Sequence, residues 1–435
     1  MSEQKNSSNR RSFLKQSSVF MGLSAVSYRA LAGNSPNERI NVGFIGLGGM
    51  GTGRLQGFLR HDDVNAAALC DVDSRHLAKA QDEVEKRRDV RPQGYHDFRE
   101  LLERNDLDAV MIATPDHWHA LPTVLACEAG KDVFVEKPLS YSIGEGRAMV
   151  EAANRNKRVT QMGIHIHNEG DNYRRVVELV RSGRLGDIRR VHCWKTSASK
   201  GIGNPPNGKP PEELDYAFWQ GPAPKHEYNP NRSHFHFRYF WDYSGGNFID
   251  FWCHITDVAY WALELTAPKS ISAVGGKYFL KDNSETPDSL DVLYEYPKNL
   301  IMAWTVHPAG APGYQDMGSI GCVFQGTEAT LVTNYSKHKV FVEGKESPDF
   351  PRPPRSIPDS PGHIREFLDC IKTREQPTCN VNYGHKLNKG GLLGNIAYRT
   401  GERIYWDDEK EQVINNAKAN DMVMRKYAEP WDKYL

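Results

Sequence analysis

Ile40-Asn-Val-Gly-Phe-Ile-Gly-Leu-Gly-Gly-Met-Gly51 decides the fold of this chain. Residues 41–45 are a short apolar, β-branched run with the pattern of a buried strand. Gly46, Gly48 and Gly51 then complete G-x-G-x-x-G where that strand has to turn into a helix. Gly46 permits the tight turn, Gly48 lets backbone approach a pyrophosphate, and Gly51 lets the helix pack close on the strand. Gly49 and Met50 open that helix, whose unpaired N–H groups and positive dipole end suit phosphate. A second apolar run, 64–70, ends at Asp71, twenty residues beyond Gly51. An acid at the tip of the second strand holds a ribose 2′-hydroxyl and repels a 2′-phosphate, which favours NAD over NADP. Asp73 is the alternative holder of that role, and the bland reading of Asp71 is a turn acid.

Outward from this turn, strand-like and helical patterns alternate. Residues 74–88, with Ser74 as N-cap, 97–104, 117–129 and 143–156 read as helices, and 108–113, 132–135 and 158–162 as strands. Strict alternation means a doubly wound parallel sheet with its ligand crevice at the carboxyl ends of the strands, a Rossmann domain over residues 39–165. A helix at 173–181 and a strand at 188–196 follow. Residues 199–243 are polar, aromatic and rich in Pro, Gly and Asn, and so long an aperiodic stretch reads as a functional loop or lid. A helix at 247–263 and strand-like runs at 271–279, 291–296, 300–306, 318–325 and 329–332 predict an open, largely antiparallel sheet. Helices at 363–373 and 385–400 and a strand at 403–406 complete this α+β domain, 166–408, which binds substrate and forms oligomers. The tail, 409–435, carries Trp431 and Tyr434, aromatics expected to dock on a partner subunit or on the body.

The 435 residues carry 55 basic and 55 acidic side chains without a basic block, which argues against a nucleic-acid partner. Arg10-Arg11 followed by Phe13-Leu14-Lys15, a mildly apolar stretch and Ala30-Leu31-Ala32 read as a twin-arginine signal peptide over residues 1–32. The apolar stretch falls far short of the roughly 20 residues of a membrane span. Export by the twin-arginine machinery to the periplasm carries a folded protein, and with no free nicotinamide pool outside it predicts tight cofactor retention. The seven cysteines are scattered without C-x-x-C pairs and read as small buried apolar residues.

Four constellations carry chemistry. Thr114-Pro115-Asp116-His117-Trp118-His119 and Glu136-Lys137-Pro138 end two strands at the cofactor edge, and Met162-Gly-Ile-His165-Ile-His167-Asn168 ends the next. Asp250 and His254 stand at i and i+4 on one helix face. In this order the motifs resemble the oxidoreductases named for glucose-fructose oxidoreductase, inositol dehydrogenase and the rhizopine-catabolism protein (Gfo/Idh/MocA), over residues 40–406. The resemblance implies Lys137, Asp250 and His254 as the catalytic set, and Thr114, Pro115, His119, Glu136 and Lys137 as further cofactor contacts. Removing hydride from a secondary alcohol needs a base, and either Lys137 or His254, which titrates near neutrality, can take the proton. Asp250 then orients the site. His165, His167 and Asn168 are read as hydrogen-bonding sugar hydroxyls, and Trp241 as stacking on a sugar face. The pairs His165/His167 and His234/His236, spaced by two, each point to one side of an extended segment, and His117 with His119 invites the same thought. No cysteine or acid cluster accompanies them, so no metal is expected.

The expectation is an exported NAD-dependent oxidoreductase acting on a sugar, cyclitol or glycoside, assembled as a homodimer or homotetramer. A redox-neutral glycoside hydrolase or lyase working through a transient keto-sugar is the alternative. A non-catalytic sugar-binding protein is the third reading.

Overall fold

Strand β1 (Ile40–Ile45) is apolar on both faces because helices cover both sides of its sheet, and Val42, Phe44 and Ile45 are buried. It pairs in parallel with β2 (Val64–Cys70) on one side and β4 (Ala109–Ile112) on the other. With β3 (Gln93–Tyr95), β5 (Asp132–Glu136) and β6 (Thr160–Gly163) the order is β3-β2-β1-β4-β5-β6, every pair parallel. Strand order reverses between β1 and β4, which opens a crevice above their carboxyl ends. This computed structural model describes residues 39–168, 170–309 and 316–435, so the twin-arginine segment lies outside the described residues.

The second sheet has ten strands: β7 (Ile188–Thr196), β8 (Ser270–Gly276), β9 (Ser289–Tyr296), β10 (Leu300–His307), β11 (Ile320–Gly326), β12 (Thr330–Thr333), β13 (His338–Val342), β14 (Lys345–Glu346), β15 (Ile404–Asp407) and β16 (Gln412–Val413). They run in the order β14-β13-β12-β11-β7-β10-β9-β8-β15-β16. Every pair is antiparallel except β10 on β7. Burial alternates along β9, so one face packs on the helices Gly246–Leu263 and Val381–Thr400 while the other meets solvent. β8 stops at Gly276, short of the expected 279, because the Asp288 carboxylate accepts the backbone N–H groups of Tyr278, Phe279 and Leu280 and bends the chain away. The helix after β2 begins at Ser74 as expected, but its N-cap is Asp73, whose side chain accepts from Arg75 N.

Two segments of the later chain fold back over the first sheet. Within 199–243, Leu214 bridges Asp73, and Asp215 N donates to Val72 O. The tail docks on the body: Trp431 packs against Phe98, Trp118 and Phe218, and the partly buried Arg425 reaches Glu145 and the His117 carbonyl. All seven cysteines are free, and all but Cys370 are buried. No helix among the described residues is long and apolar enough to cross a membrane.

Candidate active site at the carboxyl edge of the parallel sheet

The glycine turn is built as its spacing requires. Gly46 sits at φ +84°, and a Cβ there would lie 2.8 Å from the backbone of Ala113 and Thr114. A Cβ on Gly51 would lie 1.9 Å from the Gly46 carbonyl oxygen, so this glycine closes the turn on itself. A Cβ on Gly48 would meet only the His76 ring, at 3.8 Å. That position therefore owes nothing to internal packing and leaves room for a ligand. Asp71 Oδ2 accepts from Leu47 N at 2.6 Å and Oδ1 from Asp73 N at 2.8 Å, which fixes the carboxylate at the mouth of the turn. Asp73 is wholly buried, caps the helix and pairs with Arg75, and unlike Asp71 it does not line the cleft that opens from this turn.

From this turn a cleft of about 640 Å³ runs to the ends of β4 and β5. Gly46, Gly48, Gly49, Met50, Asp71, Thr114, Pro115, His119, Glu136 and Lys137 all line it, and so do Asp250 and His254 from the second half. Two of these residues are committed elsewhere. The His119 ring lies 2.9 Å from the Thr114 carbonyl and 2.6 Å from that of Pro138, tying the two strand ends together. Glu136 is paired with Arg54, which leaves Oε2 buried and without a partner. Thr114 Oγ1 is likewise buried and unpaired beside the cleft. An open glycine cradle, an anchored Asp71 and orphan polar atoms along one wall fit a dinucleotide.

At the far end, Lys137 donates to Asp250 Oδ1 at 2.5 Å and to the Asp250 carbonyl at 3.2 Å. Arg238 Nη1 donates to Asp250 Oδ2 at 3.1 Å. Burial opposes charge on Lys137, but the Asp250 carboxylate prevails and holds its pKa above the ordinary lysine range. Burial likewise opposes charge on Asp250, and Lys137 with Arg238 outweighs it, holding that pKa well below the usual carboxylate range. His254 has a different fate: burial, aided by Lys137, pushes its pKa down to about 3. That direction runs against the expectation of titration near neutrality and favours the neutral ring. Its Nδ1 is buried without a hydrogen-bond partner, and its ring lies 5.6 Å from that of His165.

The expected sugar contacts divide. His165 adjoins His254, but His167 and Asn168 are buried away from the cleft. The chain turns after β6 ends, with Asn168 N bonded to the His165 carbonyl, so residues two apart do not share a side. His167 stacks on Trp261 at 4.0 Å with Asp257 Oδ2 at 3.2 Å. Asn168 donates to Ser360 and Glu366. Trp241 packs beside Tyr398 and Arg399 and lines a small separate chamber with Tyr141 and Asn395. His117 bonds the Trp219 carbonyl. Arg238 escaped the sequence reading because it stands in an aperiodic loop; its only signal was the aromatic, lid-like character of that region.

Two family models match the chain, the oxidoreductase family's NAD-binding Rossmann fold over residues 40–164 and its C-terminal alpha/beta domain over residues 189–433. Among curated relatives, a glycosyl hydrolase family 109 protein of Shewanella woodyi is 34% identical over 153 residues, 34% of this chain and 32% of that protein. An alpha-N-acetylgalactosaminidase of Shewanella oneidensis is 32% identical over 155 residues, 35% of this chain and 34% of its own length. These matches thus span about a third of each relative. In fold, the chain is similar to the WlbA dehydrogenase of Bordetella pertussis, solved with NADH and UDP-GlcNAcA. The TM-score is 0.63 at 18% identity, covering 85% of this chain and 98% of that one.

Proposed function

The chain belongs to the Gfo/Idh/MocA oxidoreductase family, and from that premise we propose that it moves a hydride between NAD and a secondary hydroxyl of a sugar, cyclitol or glycoside. One observation carries this reading. Lys137, Asp250 and His254, drawn from both halves of the chain, line one end of a cleft whose other end is the glycine turn.

The glycine turn and Asp71 would hold NAD, which would supply the hydride acceptor. The Lys137 ammonium, fixed by Asp250, donates a hydrogen bond to the substrate oxygen and stabilises the charge that develops there. Lys137 is protonated and Asp250 is already taken up by two cations, so the neutral His254 ring is the group able to take the hydroxyl proton. It is a weak base, but the hydroxyl grows more acidic as its carbon loses hydride, so proton and hydride leave in concert.

A redox-neutral variant of the same chemistry has support of its own in the family 109 relatives. In this variant the sugar is oxidised, the C–H beside the new ketone is acidified, the glycosidic bond is eliminated to leave an enone, water adds to that enone, and the ketone is reduced again. The twin-arginine reading of residues 1–32, with export of a folded protein to the periplasm, suits an enzyme that recycles its nucleotide in place. Val274, Leu293 and Ile301, apolar and exposed on the outer face of the second sheet, support a homodimer or homotetramer through that face.

The test uses purified protein without added nucleotide. One portion is denatured and its released dinucleotide identified; the rest meets a panel of sugars and glycosides while NADH absorbance and free sugar are recorded together. Lasting NADH without cleavage establishes net oxidation, and free sugar without net NADH establishes the redox-neutral cycle. Neither signal from any member of the panel would count against both.

A further inference from the structure

Beside the glycine turn, the tip of β2 and the long loop bring two imidazoles and a carboxylate together. Ligand atoms of Asp73, His76 and His234 all lie within 4.8 Å of one another. We propose that these three residues bind a divalent transition-metal ion of the zinc class and so pin the 232–238 segment to the nucleotide half of the protein.

The geometry argues for coordination over hydrogen bonding. His234 Nε2 lies 3.2 Å from Asp73 Oδ2. Yet this nitrogen is shielded from solvent and makes no hydrogen bond, to that oxygen or to anything else. Two ligand atoms on a tetrahedral zinc, each about 2.0 Å from the metal, are about 3.3 Å apart. Asp73 has the capacity: a carboxylate offers about four lone-pair positions, and Arg75 fills three, from N at 2.9 Å and Nε at 3.2 Å to Oδ1 and from Nη2 at 2.8 Å to Oδ2. The remaining position is on Oδ2, the oxygen nearest His234. Asp71 Oδ2, 3.7 Å from His76 Nδ1, stands close enough to orient that ring.

The backbone points the same way. His234 sits at φ +55°, a left-handed conformation that costs a histidine free energy. In return the ring reaches across the cleft to within 4.7 Å of the His76 ring, centroid to centroid. His76 and His234 line the cleft with the glycine turn, as do Phe235, Phe237 and Arg238. An ion here ties one wall of the nucleotide cleft to the other, at the end away from Lys137. Imidazole and carboxylate donors suit zinc, cobalt, nickel or copper over magnesium or calcium. Arg75 beside Asp73 offsets part of the carboxylate charge, so the site is expected to be weaker than one built from three unopposed ligands.

The test titrates Zn²⁺ by calorimetry into the full-length protein after treatment with chelator and dialysis, with Co²⁺ visible absorption as a second probe. One ion per chain is expected. His234→Asn keeps a residue that tolerates the left-handed backbone, and His76→Gln changes the second imidazole; each should weaken binding by about 100-fold or more, beyond the usual cost of losing a metal site's supporting partner. His236→Asn, whose ring faces Asn231, should bind as the parent does. Circular dichroism checks that each variant is folded. Zn²⁺ should also slow release of bound dinucleotide in the parent but not in His234→Asn. No saturable binding, or binding unchanged in both the His234 and His76 variants, would overturn the site; an unchanged release rate would overturn the pinning.

Discussion

The two ends of the cleft are built by opposite means. At the nucleotide end, residues 46–51 and Asp71 come from one short stretch of chain, and the shape is set by what glycine lacks. At the reactive end, Lys137 meets a carboxylate 113 residues away, and Arg238 joins from a loop of the second half. One end is backbone geometry that a single β-carbon can ruin; the other is charge placement that depends on how two sheets are set against each other. The two ends should therefore fail separately, binding without chemistry or chemistry without binding.

The sharpest separation comes from Lys137→Ala. Loss of the ammonium should lower turnover by about 10²- to 10⁴-fold, the range for a positioned proton-transfer or charge-stabilising group. Dinucleotide content measured on the denatured protein should stay at the parent level. If the nucleotide leaves with the lysine, the two ends are not independent; near-parent turnover would remove Lys137 from the catalytic set.

Next in size is a contrast between two glycines. Gly48→Ala meets only the edge of His76, so the protein should melt as the parent does while losing about 100-fold in dinucleotide affinity, because the methyl group occupies ligand space. Gly51→Ala collides with the Gly46 carbonyl and should destabilise the fold itself. Equal thermal midpoints and equal affinities for these two variants would show that the turn is an ordinary one. Smaller again is Asp71→Ala, for which we expect about a tenfold loss of NAD affinity and a shift toward NADP. Asp73 should not compensate, since unlike Asp71 it does not line the cleft.

The pH dependence should be slight, and that is informative. His254 is needed neutral, and with a pKa pushed down to about 3 it loses that form only as pH falls through that value. Lys137 is needed charged, and its raised pKa preserves the ammonium until pH rises above the ordinary lysine range. Neither group sets a limb between about pH 5 and pH 9. A profile of kcat/KM with a limb near neutrality that disappears in His254→Ala would mean that the imidazole titrates after all.

Most of the scaffold was legible because the evidence for it is local. Residues 64–70, 74–88, 188–196 and 363–373 read from periodicity alone coincide with the observed elements. β3, β13, β14 and β16 were missed; they are two to five residues long and exist only through pairing with neighbours. Lys137, Asp250 and His254 do line one cleft, as their strand-end and helix-face positions and the family resemblance led one to expect. The reading failed where it assumed extended backbone. His234 at positive φ is followed by a helical turn, so His236 swings to Asn231 while His234 crosses to Asp73.

His167 puts that failure to a quantitative test. In an extended segment it would point to the same side as His165, toward His254; in the observed turn it is buried in the second half against Trp261, next to Asp257. His167→Ala should leave the Asp257 carboxylate with Tyr383 as its remaining side-chain partner and open a void against Trp261. Loss of the packed ring and of a buried polar neighbour together should cost about 2–4 kcal/mol in denaturant unfolding. Substrate kcat/KM should stay within about threefold of the parent, because His167 is buried and is not among the residues lining the cleft. The opposite result, unchanged stability with a KM raised tenfold or more, would place His167 on the substrate and make the turn after β6 the wrong description of this segment.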